Sequence, residues 1–258
     1  MTMVNSQIPD AVDALKAGFK DAVIVVIGGR GGIGAEVVEQ AHALGAIVVI
    51  GSSSQGSLEL DREALKSTRR GTAHIDLRDP ASISQFAKTV GDALGRVDIL
   101  VNTAGSSIQK PFEDLSDEII AEVFQTNAMG VLSTIRAFTP LLKRGRDPVI
   151  VNIGSVAAKT GGGSNIAYVG AKAAVDAMAI GLAKTLAPEI RVVGIAPSAL
   201  ETGFAKGRAP DFLKATQEAT PLKRITHVRE VANAVLVAAR VLTATTGVSI
   251  AVDGGRHL

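Results

Sequence analysis

The chain has 258 residues and a formal net charge of +2, too small to mark a binder of nucleic acid or of an anionic membrane. It contains no cysteine, which excludes disulfides, a thiolate nucleophile and a thiolate-held metal, and which sits easily with a reducing cytoplasm. A hydrophobic content of 47% at this length suits one domain with a large buried core.

Residues 1–18 carry Pro9, two aspartates and no arginine, and read as a short extension before the fold rather than a signal or transit peptide. Ala22 to Ile27 is a continuous apolar run, as expected of a strand buried on both faces. It leads into Gly28-Gly29-Arg30-Gly31-Gly32-Ile33-Gly34 and then a helix over Ala35 to Leu44, ended by Gly45. Strand, glycine turn and helix start together form the context of a phosphate-binding turn. Gly28 would make the turn, Gly32 would let backbone approach a pyrophosphate, and Gly34 would let the helix pack on the strand. A second strand covers Ala46 to Gly51, and the polar stretch Ser52 to Arg70 holds a short helix from Leu58 to Thr68. Thr72 to Ile75 is the third strand, Pro80 to Leu94 a helix closed by Gly95, and Val97 to Val101 the fourth strand. A long helix is expected from Ser116 to Lys143, interrupted or finished near Pro140. Val149 to Ile153 is the fifth strand, Ile166 to Leu186 a helix, and Arg191 to Ala196 the sixth strand. Ser198 to Lys223 is the least regular part, ahead of a helix over Arg229 to Val241 and a last strand. This alternation implies βαβ units on a parallel sheet, in a single α/β domain without internal repeats. No stretch reaches the ~18 consecutive apolar residues of a membrane span. His42, His74, His227 and His257 show no metal-ligand spacing, so no metal site is expected.

Within the helix Ile166 to Leu186 stands Tyr168-Val169-Gly170-Ala171-Lys172, with Ser155 upstream. Residues four apart share a helix face. A phenol is a poor acid or base near neutrality, with a reference pKa of about 10, and an ammonium one turn away favours its ionised form. A Tyr-x-x-x-Lys pair also arises by chance on solvated helix faces. Here the surrounding helix is apolar and small, and Tyr168 is the only tyrosine.

The glycine turn and this pair, with what lies between them, resemble the classical short-chain dehydrogenase/reductase family from about Phe19 to Gly255. The resemblance rests on Asn102-Thr103-Ala104-Gly105, Thr126-Asn127-Ala128-Met129-Gly130 and Val151-Asn152-Ile153-Gly154-Ser155, and on Asp76-Leu77 after the third strand. Thr246-Gly247 and Val252-Asp253-Gly254-Gly255 match its last-strand signature. It implies a Rossmann-type doubly wound parallel sheet of about seven strands with helices on both faces, spanning 19–258, with 198–223 as the substrate loop. It also implies an oxidoreductase moving a hydride between a nicotinamide cofactor and a ketone, aldehyde or secondary alcohol. Tyr168 would exchange a proton with the substrate oxygen and Ser155 would hydrogen-bond it. Lys172 would tune Tyr168 and hold the nicotinamide ribose, and Asn127 would hold a relay water. Taken alone, Ser155 is a loop serine, Asn127 a helix asparagine bonded to backbone carbonyls, and Asn102 a strut between strand ends.

For the cofactor, Gly28, Arg30, Gly32, Ile33 and Gly34 would bind the phosphates, and Asp76 and Leu77 the adenine. Asn102, Ala104, Gly105, Tyr168 and Lys172 would flank the ribose and nicotinamide, with Pro197, Leu200 and Thr202 meeting the carboxamide side. The second strand ends in Gly51-Ser52-Ser53-Ser54, without the carboxylate that accepts from a ribose 2′-hydroxyl. Hydroxyls of Ser52, Ser53 and Ser54, with Arg30, suit a 2′-phosphate, so the reading favours NADP(H), with NAD(H) as the alternative. Three departures stand out: Ile27 replaces a threonine whose hydroxyl braces the turn, Ser198 replaces a glycine after Pro197, and Gly194 replaces an asparagine just before that motif.

Among family members the closest in look are 3-oxoacyl-carrier-protein reductases. Lys143-Arg144-Gly145-Arg146 is either a dock for an acidic carrier or a solvated basic turn. Those reductases often carry a basic residue after the Leu-Ala of the tyrosine helix, where this chain has Pro188, which argues for a small-molecule substrate. A non-catalytic, dinucleotide-sensing protein is the alternative of another class. No nucleic-acid or membrane partner is expected. A homo-oligomer, a tetramer by family resemblance, is expected, because the helix Ile166 to Leu186 is apolar on more than one face and rich in alanine and glycine.

Overall fold

Along β1 (Val23–Ile27) the side chains alternate between two cores. Val23, Val25 and Ile27 enter one, and Ile24 and Val26 enter the other. A strand of this kind is apolar throughout because it has no solvent face, and all five residues are buried. The computed structural model describes residues 10–54, 60–201 and 211–258.

Six further strands run parallel to β1: β2 (Ile47–Ser52), β3 (Arg70–His74), β4 (Ile99–Asn102), β5 (Val149–Ile153), β6 (Arg191–Pro197) and β7 (Val248–Val252). The sheet order is β3-β2-β1-β4-β5-β6-β7, so strand order reverses between β1 and β4. Register places Ile27 opposite both Gly51 and Asn102, and Asn102 opposite Asn152, which aligns the carboxyl ends of the central strands.

Helices cover both faces. α1 (Ala11–Phe19), α2 (Gly32–Ala43) and α10 (Val228–Arg240) lie on the side of Ile24 and Val26. α4 (Pro80–Leu94), α6 (Gly130–Leu142) and α8 (Ile166–Leu186) lie on the other side, where Phe86 meets Phe138 at 5.7 Å between ring centroids. The shorter helices are α3 (Arg62–Thr68), α5 (Asp117–Phe124), α7 (Ala157–Thr160) and α9 (Phe212–Ala219). End signals are explicit in the sequence. Asp79 caps α4 by accepting from Ala81 N, Pro80 opens it, and Gly95 closes it at φ 74°. Asn165 caps α8 by accepting from Tyr168 N at 2.8 Å.

Four elements differ from the sequence expectation. The extension over 1–18 is helical from Ala11: Asp10 caps α1, Phe19 is fully buried, and Arg240 of α10 donates to Gly18 O at 2.9 Å. α2 begins at Gly32 rather than Ala35, so the glycines are its first turn. The long helix is divided not at Pro140, which α6 carries in its last turn, but by a π-helical turn over Gln125–Met129 between α5 and α6. The irregular stretch 198–223 contains α9, and residues 202–210 within it lie outside the described part of the chain.

α8 has a mean hydropathy of 1.5 and is by length and composition able to cross a membrane, which corrects the expectation that no stretch would be. Here it packs against β6, α5 and α7, with Ala171, Val175, Ala179 and Ala183 buried.

Candidate active site

A cleft of about 1000 Å³ opens along the carboxyl ends of β1, β2, β4, β5 and β6, across the point where strand order reverses. At its floor the glycine turn is shaped by contacts that a side chain would break. A Cβ on Gly28, at φ +84°, would lie 2.7 Å from Ala104 N, and one on Gly34 would run into the Gly28 carbonyl. Around Gly31 the space is open, and its missing side chain leaves the start of α2 without a side-chain cap. Unsatisfied N–H groups therefore face the cleft beside Gly32 and Ile33, the arrangement that suits a phosphate. The hydroxyl missing at Ile27 is supplied from the next strand: Thr103 Oγ1 donates to Ile27 O at 2.8 Å and braces the turn. Sequence reasoning passed over Thr103, whose signal was only its place beside Asn102.

Beyond β2, Ser52 and Ser53 line the cleft while Arg30 and Ser54 stand just outside its wall. There Arg30 Nη1 donates to Ser54 O at 3.0 Å, and the Ser52 and Ser54 hydroxyls are 2.9 Å apart. Among the described residues the patch holds three hydroxyls and a guanidinium and no carboxylate. Asp76 and Leu77 line the adjoining wall. Arg78, not singled out from sequence, grips Asp76 with two bonds of 3.0 and 2.8 Å and holds its carboxyl below the usual carboxylate range.

Asn102 is not in the cleft. It is buried beneath it and donates from Nδ2 to Asn152 Oδ1 at 2.8 Å, tying β4 to β5, as the strut reading had it. Ala104 and Gly105 line the cleft above. Asn127 is fully buried in the π-helical turn, behind Gly105. Its Nδ2 donates to Val123 O at 2.9 Å and Ser106 O at 3.1 Å, and its Oδ1 accepts from Ser106 N at 3.3 Å. A Cβ on Gly105 would lie 2.7 Å from Asn127 Oδ1, closer than a side chain allows, and at an ordinary contact distance of 3.8 Å from Lys172 Nζ.

Ser155, Tyr168 and Lys172 line the same cleft. Ser155 follows β5 and its Oγ accepts from Ala157 N at 3.1 Å, which fixes the hydroxyl at the start of α7. Tyr168 is buried on α8, its ring against Gly163. Lys172 is 4% exposed, donates to Ile153 O at 2.9 Å, and stands 5.8 Å from the centre of the Tyr168 ring. Burial pulls its pKa down to about 8, opposed by the charge of Asp176. Pro197 and Leu200 close the wall after β6; Thr202 lies outside the described residues.

The comparisons agree with this geometry. A family model described as enoyl-(acyl carrier protein) reductase matches residues 28–257. The chain belongs to the short-chain dehydrogenase/reductase family. Over 246 residues it is 29% identical to the 3-oxoacyl-[acyl-carrier-protein] reductase FabG of Escherichia coli, covering 93% of this chain and 99% of that one. It is 30% identical over 242 residues to a 3alpha-hydroxysteroid dehydrogenase of Mediterraneibacter gnavus, covering 92% and 97%. Among solved structures, the Pseudomonas aeruginosa RhlG/NADP active-site complex superposes with a TM-score of 0.82 at 30% identity, covering 93% and 98%. This short-chain dehydrogenase/reductase is thus an oxidoreductase on a doubly wound sheet.

Proposed function

We propose that this short-chain dehydrogenase/reductase reduces a ketone or aldehyde with NADPH, or runs the reverse oxidation of a secondary alcohol. The observation that carries the reading is that Ser155, Tyr168 and Lys172 line one cleft with the open start of α2. The glycine turn would hold the pyrophosphate, and the bound nicotinamide would supply the hydride. Tyr168 gives its phenolic proton to the substrate oxygen as that oxygen gains charge, and Ser155 Oγ donates a hydrogen bond to the same atom. Lys172 favours the ionised phenol left behind, and Asn127 anchors the relay side of Lys172 across Gly105. Arg30 with Ser52, Ser53 and Ser54 would take the 2′-phosphate, and Asp76 and Leu77 would face the adenine. Thr202 is assigned to the carboxamide by family resemblance alone.

A panel of carbonyl compounds with each reduced cofactor, followed by the loss of nicotinamide absorbance, tests this reading. Turnover with NADPH and a lower rate with NADH are expected. Tight cofactor binding without turnover of any carbonyl would replace the enzyme by a dinucleotide sensor.

Relatives named as ketoacyl reductases favour a second substrate, a 3-oxoacyl chain on a carrier protein. Against it, the turn Lys143 to Arg146 precedes β5 and so sits at the sheet edge opposite the cleft. Its arginine side chains are engaged in the fold, Arg144 with Gly95 O and Arg146 with Asp21 O. A free small molecule is the better fit, and the cytoplasm the compartment we assign.

Assembly belongs to the same reading. Only 39% of the most apolar window of α8 is buried within the chain, and Ile166 and Ile180 on it are 54% and 50% exposed. A Cβ on Gly181 would meet nothing within 4 Å, leaving room for close approach of another backbone. We infer a homotetramer closed by the α5–α6 and α8 surfaces and by β7 with the carboxyl-terminal turn. The domain then takes in α1 as well, starting ahead of the residue 19 expected from the sequence, and we propose 198–223 as its substrate loop.

A further inference from the structure

We propose that Asp176 is a positioning residue for this reaction, its carboxylate supplying from one turn beyond Lys172 on α8 the counter-charge that keeps the buried lysine an ammonium. The inference rests on the reading that Lys172 works as a cation beside Tyr168. Tyr168, Lys172 and Asp176 follow each other at four-residue intervals, so they form one column along the helix. Asp176 Oδ1 is buried, and the buried Ser249 hydroxyl of β7 faces it and favours the carboxylate.

Two glycines keep room for this pair. A Cβ on Gly154, the residue before Ser155, would lie 2.8 Å from Asp176 Oδ1, and one on Gly194 of β6 would lie 3.0 Å from Ser249 Oγ. A buried carboxylate oxygen that faces only a hydroxyl is costly unless a charge compensates it. The charged groups facing Asp176 are Lys172 on its own helix and Lys159 on α7. Burial raises its carboxyl, while Ser249 and the two lysines pull the other way. Lys172 in turn faces one charge, that of Asp176, which opposes the lowering caused by burial. An ammonium in this place needs a neighbour of opposite sign, and Asp176 is placed to be that neighbour.

Side-chain NMR of the labelled protein without cofactor reads the coupling directly. Lys172 Nζ should titrate near pH 8 in the wild type and about one unit lower in Asp176→Asn, the low end for loss of a close opposite charge. Asp176→Glu should restore most of the shift. Where the substrate is turned over, the alkaline limb of the rate profile should move with it while the melting temperature stays close to wild type. An unchanged Lys172 titration in folded Asp176→Asn overturns the proposal. If that variant does not fold, the wild type decides: the Asp176 carboxyl resonance must show a second inflection at the pH where Lys172 titrates, and its absence overturns the proposal equally. Lack of turnover with the NMR coupling present would instead count against the catalytic reading.

Discussion

Removing the hydroxyl of Tyr168 takes away one proton donor and leaves the ring seated against Gly163. Tyr168→Phe is therefore expected to keep fold and cofactor affinity and to lose roughly 100-fold or more in kcat. Retention of more than about a tenth of the wild-type rate would defeat the assignment of Tyr168 as the acid. Lys172 sets a second expectation. Below about pH 8 it is an ammonium, and above that value it is neutral, because burial has lowered its pKa. Steps that need the cation therefore weaken as pH rises through 8, and carbonyl reduction should fall on that side. A rate flat from pH 7 to about 9.5 would mean that the charge of Lys172 is not used. Gly105 shows why single residues here resist substitution. It is small because Asn127 Oδ1 stands where a Cβ would reach.

At the scale of elements, the end of β2 is where the proposed cofactor preference can be tested. Three serines and Arg30 stand where an acidic side chain would repel a 2′-phosphate. Ser53→Asp is expected to move the ratio of dissociation constants toward NAD by at least about tenfold, or ~1.4 kcal/mol. A wild-type protein that binds NAD more tightly would remove the premise. Much of this level was legible beforehand. α4, β5 and α8 run from and to the residues expected, since Asp79-Pro80, Gly95, Asn165 and two-sided apolar runs are local signals. What escaped depends on partners distant in sequence. The π-helical turn over Gln125–Met129 has ordinary helix composition, and its stability comes from Asn127 reaching Ser106. Thr103 braces the glycine turn from another strand, and Asp176 gains meaning only when Gly154 is seen against it. The motif residues that line the cleft could be singled out from sequence, and those that support them from behind could not.

For the molecule as a whole, the exposed apolar face of α8 is the feature to test. Ile180→Glu puts a charge where a second copy is expected to pack, and should reduce a tetramer to a smaller species in sedimentation equilibrium. A wild-type monomer at micromolar concentration would remove the assembly altogether. The other feature of this scale is the docking of α1. Its last turn is gripped by Arg240, which is 6% exposed and donates to Gly18 O across 222 residues of sequence. During translation the amino-terminal helix leaves the ribosome before almost everything it rests on. It must wait, unpaired, until α10 has been made, and loop closure over that distance comes late. A helix made ahead of its partner is thus fastened only after α10 has been made. A nascent chain halted before residue 240 would hold a nearly finished sheet with its opening helix still loose.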